Sequence, residues 1–335
     1  MPAFDLPLAE LHVYQGTNPR PGDFDEYWEG ALEELRHSRA DEDIVLAPVD
    51  HPATYANCFD LWFTGVRGTR LHAKYLRPSL GAPPHPGIVV FHGYYAASPD
   101  WFRLLPYVAQ GFSVLALDSR GQGGLSQESG GLAGTSLVGH IIRGLDVDPR
   151  ELLVRRHFLD TVHAAQILME RPEVDPARVG ATGESQGGGL TLACATLEPR
   201  IRAAVPVFPF LSDYRRVWDL DLAVNAYAEL RDYLRRFDPL HESVEQMWLT
   251  LGYIDVQHLA PRVRASVMMH TGLMDMICPP STQFAAYNKL PSEKQVTVYP
   301  DFEHEDLPGI GDRILRFFVD QLGPSVGPDA LVEGR

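Results

Sequence analysis

Short apolar segments alternate with helical segments through most of the chain, and this alternation restricts the possible fold more than any other feature. Continuous apolar runs are typical of strands that are buried on both faces, as in a mostly parallel sheet covered by helices. The sequence therefore predicts an α/β fold. The apolar runs are GIVVFHG (87–93), FSVLALD (112–118), RVGATG (178–183), IRAAVPVFP (201–209), ASVMMHTG (265–272) and QVTVYP (295–300).

Four regions depart from this alternation without requiring a second domain, so we predict one domain over residues 1–335. Residues 1–40 indicate an N-terminal arm and a helix, and three strands follow between residues 44 and 78. Residues 210–262 indicate two or three helices without a strand, which we interpret as a helical insertion covering one edge of the sheet. The Gly/Pro-rich tail, 323–335, is expected to be loose.

The charge of the chain argues against a nucleic-acid or anionic-membrane partner. Lys+Arg is 29 and Asp+Glu is 44, so the formal net charge is 29 − 44 = −15. A surface this acidic repels phosphate groups, and no basic run compensates for it. The N-terminus has no basic start followed by an apolar run, and no apolar stretch reaches the roughly 18 residues of a membrane span. We therefore expect a cytoplasmic protein.

The three cysteines, Cys58, Cys194 and Cys278, are too few and too widely spaced to predict a disulfide framework or a zinc site. In a reducing compartment such residues usually behave as small buried hydrophobes. No metal site is therefore predicted from them.

The segment Gly183-Glu184-Ser185-Gln186-Gly187 has the pattern G-x-S-x-G between an apolar run and a small-residue helical pattern. In that context a tight strand-to-helix turn raises the serine hydroxyl above the sheet, and small neighbours permit the strained backbone. The alternative is a glycine-rich packing turn without chemistry. The rest of the chain decides between them.

A nucleophilic serine needs a base, and the base needs an orienting carboxylate. Asp275 and His304 each follow an apolar run downstream of Ser185, at separations of 90 and 29 residues (275 − 185 and 304 − 275). Chain order Ser, Asp, His at the carboxyl ends of successive strands is that of a serine hydrolase on a parallel sheet. We predict a triad of Ser185, Asp275 and His304.

Other downstream residues offer alternatives for two of these positions. His270 lies inside an apolar run, where a packed core residue is the simpler interpretation, and His258 lies in the insertion. Asp301 and Asp306 are too close in sequence to His304 to orient its ring in the usual way. We therefore retain Asp275 and His304.

Two backbone N–H groups are expected to hold the oxyanion. We assign one to Gln186, next to the nucleophile, and the other to Tyr94, in the turn after GIVVFHG. The segment DSRGQGG supplies Arg120 and Gln122, which we interpret as structural support for the serine loop. An anion-binding role for Arg120 is the alternative.

Three ordered motifs, RGQ (120–122), GESQGG (183–188) and HE (304–305), resemble the signatures of the seventh carbohydrate esterase family. That family comprises acetyl xylan esterases and cephalosporin C deacetylases. The segment GLMDMICPPSTQFAAYN (272–288) and the N-terminal arm are also similar to it, so the resemblance spans nearly the whole chain.

The resemblance implies an α/β-hydrolase with the triad and oxyanion amides named above. It implies a serine esterase that removes acetyl groups from small esters, such as acetylated xylo-oligosaccharides and cephalosporin C, without a metal or organic cofactor. It also implies an intracellular homo-oligomer, commonly a hexamer of paired trimers.

The loop YAASPDWF (95–102) departs from the Gly/Arg-rich stretch usual in the family. Because this loop lies beside the acyl pocket in the family, substrate preference is open. Trp101, Phe210 and Met276 are candidates to line the site, although core packing is the favoured explanation for each of them taken singly. Another small-ester or peptide hydrolase of the same fold, and a non-catalytic binding protein, are the alternative functions.

Overall fold

The computed structural model describes residues 4–39, 43–128 and 137–323. In this part of the chain nine strands form one sheet in the order β1-β2-β3-β5-β4-β6-β7-β8-β9. The strands are β1 (Val45–Val49), β2 (Ala56–Thr64), β3 (Arg70–Pro78), β4 (His85–Phe91), β5 (Ser113–Leu117), β6 (Val174–Glu184), β7 (Ile201–Val207), β8 (Ser266–Gly272) and β9 (Lys294–Tyr299).

The sheet has an antiparallel edge and a parallel body. The first three strands pair antiparallel with one another, and β3 pairs antiparallel with β5. The pairings from β5 through β4, β6, β7 and β8 to β9 are all parallel. The carboxyl ends of six parallel strands therefore meet at one edge of the sheet, as the apolar runs predict.

Helices cover both faces of the sheet and connect most of its strands. Their bounds are α1 (Leu8–Leu11), α2 (Phe24–Ser38), α3 (Trp101–Ala109), α4 (Leu153–Met169), α5 (Gln186–Leu197), α6 (Tyr214–Asp219), α7 (Ala228–Phe237), α8 (Val244–Leu251), α9 (Val256–Leu259), α10 (Pro280–Asn288) and α11 (Ile310–Leu322). No described helix combines the length and the apolar character needed to cross a bilayer.

Successive residues of β4 show why its sequence is apolar throughout. Val89 and Phe91 pack into a core that includes side chains of α4 and α5. Ile88 and Val90 point the other way, into a second core with α3 and α11. Both faces of the strand are thus buried, which requires a continuous apolar run rather than an alternating one.

Two features of the helices differ from the sequence expectation. The helix α3 was not predicted, because Pro106 lies inside its nine residues and lacks the N–H of a regular helical turn. The insertion, 210–262, contains four α-helices rather than two or three, since α6 and α9 are too short to give a clear period. The tail beyond residue 323 lies outside the described residues.

The N-terminal arm and helix α2 are hydrogen-bonded to the insertion. Asp213, fully buried, accepts hydrogen bonds from the backbone N–H groups of Thr17 (3.0 Å) and Asn18 (2.8 Å) and from the Tyr14 hydroxyl (2.8 Å). The Trp28 indole N–H of α2 donates to the Tyr253 carbonyl at 3.0 Å. Hydrogen bonds from both the arm and α2 therefore hold this part of the chain against the insertion.

A buried ion pair joins the loop after β5 to α4. Both guanidinium contacts of Arg120 with the carboxylate of Asp160 measure 2.6 Å, and the two side chains are 0% and 1% exposed. Arg120 also donates to the Thr69 hydroxyl at 3.2 Å. This bidentate geometry satisfies a charge that burial would otherwise make costly.

We predict that Arg120→Met lowers the free energy of unfolding by about 3–5 kcal/mol, because it leaves the Asp160 carboxylate buried and unpaired. The double variant Arg120→Met/Asp160→Leu is expected to recover most of that loss. Urea unfolding followed by circular dichroism measures both. A double variant no more stable than the single one contradicts this explanation.

Candidate active site

Ser185 lies in the turn between β6 and α5, at the carboxyl edge of the parallel strands. Its φ of 56° and ψ of −118° lie outside the regions that residues with a Cβ normally occupy. The Ser185 N–H donates to the Val207 carbonyl at 3.0 Å, which fixes the turn against β7. The side chain remains partly exposed.

The glycines of the motif allow this turn to approach β4. A Cβ at Gly183 or Gly187 would overlap the carbonyl oxygen of Phe91, the last residue of β4. The two positions therefore accept only glycine at this separation of the strands. The glycine-rich turn thus packs closely and also presents a hydroxyl, so the two explanations considered for the motif are compatible.

Asp275 and His304 form a directly hydrogen-bonded pair. The distance from His304 Nδ1 to Asp275 Oδ2 is 2.8 Å, and the other carboxylate oxygen accepts the backbone N–H groups of Ile277 (2.9 Å) and Cys278 (2.8 Å). The carboxylate is fully buried. Because it can only accept, the network assigns the imidazole proton to Nδ1 and leaves Nε2 as an acceptor.

Backbone contacts at the ends of β8 and β9 bring this pair together. Leu273 N–H donates to the Tyr299 carbonyl and Met274 N–H to the Phe302 carbonyl, both at 3.0 Å. The Phe208 ring, just after β7, lies with its centroid 4.4 Å from that of His304. The imidazole is therefore held between two loops and an aromatic face.

The Cys278 thiol also lies in this cluster, which the sequence reasoning missed by treating the cysteine only as a buried hydrophobe. Donor atoms of Asp275, Cys278 and His304 all lie within 4.8 Å of one another. Burial raises the pKa of the thiol well above its usual value, and the charge of Asp275 adds to this, whereas a hydrogen bond from Ser185 opposes it. Cys278 therefore stays a neutral thiol and is not a competing nucleophile.

Within the described part of the chain, no other group of side chains brings three such donors close enough to hold a cation. Two of these donors are already used by the hydrogen bond between Asp275 and His304. This hydrogen bond orients the imidazole, as proton transfer through Nε2 requires.

Ser185 and His304 are placed at the same edge without a direct hydrogen bond between them in the described residues. The serine hydroxyl instead interacts with Cys278, which is itself within 4.8 Å of the His304 donor atom. Nucleophile–base contacts of this kind are commonly long in ligand-free sites and shorten when substrate binds.

The two predicted oxyanion amides lie on either side of the serine turn. Gln186 is the first residue of α5, so its N–H has no acceptor within the helix. An added Cβ at Gly93 would be 4.0 Å from the Cβ of Ser185, so the Tyr94 turn approaches the nucleophile closely. No acceptor among the described residues receives the Tyr94 N–H.

Gln122 supports the start of α5 directly. Its side-chain amide exchanges two hydrogen bonds with that of Gln186, at 2.8 and 3.0 Å, and both side chains are buried. Arg120 faces Asp160 instead of the cavity, so its contacts are those of a structural residue.

The alternative acid and base residues are placed elsewhere. His270 is fully buried in β8, and burial lowers its pKa to about 4. Burial also lowers the pKa of His258 to about 3, and its Nε2 lies 3.2 Å from the Asn18 carbonyl. Asp301 and Asp306 are exposed and form no hydrogen bond with His304 among the described residues.

Of the three candidate lining residues, only Met276 is placed to meet a substrate, since it is 50% exposed next to Asp275. Phe210 is fully buried, with its ring centroid 5.6 Å from that of Tyr94, so it supports Tyr94 from the core. The Trp101 ring lies 5.6 Å from Lys74 Nζ and 6.5 Å from His51, against the antiparallel edge. For Phe210 and Trp101 the lining role is not supported.

A cavity of about 520 Å³ opens beside the Tyr94 turn, between α3 and α11. The residues that line it include His92 and Gly93, next to Tyr94, and the charged residues Arg103 and Glu184. This volume lies within the roughly 300–1,000 Å³ usual for small-molecule pockets. The unusual loop 95–102 forms part of its wall and is held in place, because Lys74 Nζ donates to the carbonyls of Ser98 (3.2 Å) and Pro99 (2.7 Å).

The chain is similar to acetyl xylan esterases of known sequence and structure. The sequence model of the acetyl xylan esterase family (AXE1) matches residues 1–321. The structure of acetyl xylan esterase 1 from Thermoanaerobacterium sp. JW/SL YS485 is 55% identical, with a TM-score of 0.91 over 95% of this chain and 99% of that one. The acetyl xylan esterase from Paenibacillus sp. R4 is 35% identical, with a TM-score of 0.88 over 95% of this chain and 100% of that one.

A further relative is the acetyl esterase Axe7A of Xylanibacter ruminicola, which is 28% identical over 88% of this chain and 67% of that protein. These similarities confirm the predicted α/β-hydrolase fold and the predicted family. The chain belongs to the acetyl xylan esterase (AXE1) family of carboxylic ester hydrolases.

Proposed function

We propose that this chain removes acetyl groups from small acetylated carbohydrates, such as xylo-oligosaccharides, through an acetyl-enzyme intermediate on Ser185. The observation that carries the proposal is the buried Asp275–His304 hydrogen bond of 2.8 Å at the edge where the strained Ser185 turn lies. A buried carboxylate, an oriented imidazole and a raised hydroxyl are the parts that acyl transfer needs.

In the first half-reaction, His304 Nε2 takes the proton of the Ser185 hydroxyl while Oγ attacks the acetyl carbonyl carbon. Asp275 keeps the Nδ1 proton in place and stabilises the imidazolium that forms. The N–H groups of Tyr94 and Gln186 donate hydrogen bonds to the developing oxyanion. The bond between the acetyl carbon and the sugar oxygen then breaks, and this oxygen takes the proton from His304 as the alcohol leaves.

In the second half-reaction, a water molecule replaces the alcohol. His304 accepts a proton from this water as its oxygen attacks the acetyl-serine carbonyl, and the same two amides hold the second oxyanion. Acetate leaves and Ser185 recovers its proton from His304. No step requires a metal ion or an organic cofactor.

The cavity beside the Tyr94 turn is proposed to hold the alcohol part of the substrate. Arg103 and Glu184 supply polar groups that suit sugar hydroxyls. Cys278 lies next to the Ser185 hydroxyl and is fully buried, so an acyl chain longer than acetyl on that side would have to displace packed side chains. Cephalosporin C, with its exposed acetyl ester, is a second substrate consistent with this arrangement.

A cytoplasmic location and a hexamer of paired trimers are part of the same proposal. They are supported by the sequence resemblance alone, and light scattering on the purified chain measures the assembly.

We predict that Ser185→Ala lowers the kcat for p-nitrophenyl acetate by at least about 10³-fold without loss of fold, because the nucleophile is removed. The turn at φ 56° accepts alanine as readily as serine, so the circular dichroism spectrum is expected to match the wild type. Activity within tenfold of the wild type excludes Ser185 as nucleophile.

We predict that Asp275→Asn lowers kcat on the order of 10³–10⁴-fold with little change in KM. The Ile277 and Cys278 N–H groups would hold the amide oxygen, which turns the amide NH₂ toward His304 Nδ1. The imidazole proton then moves to Nε2, where it blocks proton transfer from Ser185. A kcat reduced less than tenfold in the folded variant argues against the orienting role.

We predict that kcat/KM falls at least about tenfold between p-nitrophenyl acetate and the butyrate, since the extra methylenes do not fit beside packed side chains. Acetylated xylo-oligosaccharides and cephalosporin C are expected to release acetate, measured with a coupled assay. Equal activity on octanoate esters, or cleavage of an aminopeptidase substrate, favours another hydrolase of the same fold instead.

A further inference from the structure

Glu229, in helix α7 of the insertion, carries a buried carboxylate that binds four hydrogen-bond donors. One oxygen accepts the Tyr94 hydroxyl and the Gly139 N–H (3.3 Å). The other accepts the N–H groups of Ile141 (2.7 Å) and Ile142 (3.0 Å). The residue is only 5% exposed.

Burial of this carboxylate is costly, and its partners are placed to offset the cost. Burial raises the pKa of Glu229 above its usual value, and the hydrogen bonds from the Tyr94 hydroxyl and the three backbone N–H groups limit that rise. Because a carboxylate this well satisfied has a single preferred position, it acts as a fixed point for the two loops that it joins.

One of those loops bears an amide that the proposed reaction uses. Tyr94 donates its hydroxyl hydrogen to Glu229 and accepts the His140 N–H at 3.2 Å. Its ring packs edge-on against Phe210, whose own N–H donates to the Ser185 carbonyl at 3.0 Å. The Tyr94 side chain is thus fixed at its hydroxyl by the insertion and at its ring by a neighbour of the serine turn.

The backbone beside Tyr94 needs such support. Tyr95 has a φ of 50°, which a residue with a Cβ adopts only when the surrounding contacts enforce it. Gly123 N–H donates to the Ala96 carbonyl at 2.9 Å on the far side of this residue. On the N-terminal side of Tyr95, the backbone is held by the Tyr94 side chain through its hydrogen bond to Glu229.

We propose that Glu229 is a positioning residue for acyl transfer, which acts by fixing the Tyr94 side chain so that the Tyr94 N–H points at the developing oxyanion. This inference rests on the proposed function, and it assigns the helical insertion a part in the reaction. Glu229 lies 44 residues after Ser185 and matches no catalytic motif.

The expected kinetic signature is a loss of kcat with little change in KM. An oxyanion contact strengthens in the transition state, whereas the acetyl group of the bound substrate makes little use of it. Removal of one oxyanion donor lowers the rate by about 10²–10³-fold. A displacement of a catalytic group by about 1 Å lowers the rate by up to about 10²-fold. A positioning residue is therefore expected to change kcat by about 10–100-fold.

The experiment compares Glu229→Gln, Tyr94→Phe and the double variant in steady-state hydrolysis of p-nitrophenyl acetate, with unfolding temperatures measured in parallel. Glutamine replaces one of the two accepting oxygens of Glu229 with an NH₂ group. This group cannot accept a hydrogen bond, so either the Tyr94 hydroxyl or the loop N–H groups lose their acceptor. Glu242→Gln, an exposed glutamate in the same insertion, is the matched control and is expected to retain wild-type kinetics.

If Glu229 acts through Tyr94, each single variant loses about 10–100-fold in kcat with KM within about threefold of the wild type. The double variant is then no more than about threefold slower than the slower single variant, because both substitutions break the same hydrogen bond.

A kcat within twofold of the wild type in a folded Glu229→Gln variant, or losses that multiply in the double variant, overturns the inference. A rise in KM alone also overturns it. If Glu229→Gln does not fold, Tyr94→Phe decides, since it removes one hydroxyl and leaves the three backbone bonds of Glu229 in place. An inactive wild type would instead contradict the proposed function.

Discussion

The passage of the chain from β6 into α5 at Ser185 is the constraint on which the rest of the site depends. At this point the backbone turns with a positive φ, and two glycines let it pass against the carbonyl of Phe91. A helix then starts at once, so one backbone N–H faces the same space as the serine hydroxyl. Every other part of the site is placed relative to this turn, by the ends of β4, β8 and β9.

The parallel register of the strands brings the Ser185 turn together with the loops that carry Asp275 and His304. Because neighbouring strands end at one edge, loops that are about 90 and 30 residues apart in sequence meet there without long connections. Hydrogen bonds between the loops that carry Asp275 and His304 fix the position of the imidazole relative to the strand ends. Through Glu229, the insertion is hydrogen-bonded to Tyr94, in the turn after β4.

Much of this could be predicted from the sequence, since the features concerned are local. Continuous apolar runs give buried strands, and G-x-S-x-G between a run and a helix gives the turn. Asp275 and His304 were found because each follows a strand. Two features were missed for different reasons. Helix α3 contains Pro106, which weakens its local helical signal. Cys278 becomes part of the site through a tertiary contact, when its loop folds back to Ser185.

Glu229 shows the same limit more clearly. Within α7 it is one glutamate among several charged residues, and helical periodicity does not distinguish it from an exposed one. Its significance comes from partners about 90 and 135 residues away in sequence. Phe210 is a further example, since the sequence does not show that its side chain is fully buried and packs against the Tyr94 ring.

The most direct test of the account is mass spectrometry of the intact chain after treatment with a fluorophosphonate, followed by peptide mapping. The account predicts a single adduct on Ser185 that forms rapidly in the wild type and at least about 100-fold more slowly in His304→Ala, because the imidazole activates the hydroxyl. Labelling at another residue, or labelling of Ser185 at the same rate without His304, would contradict it.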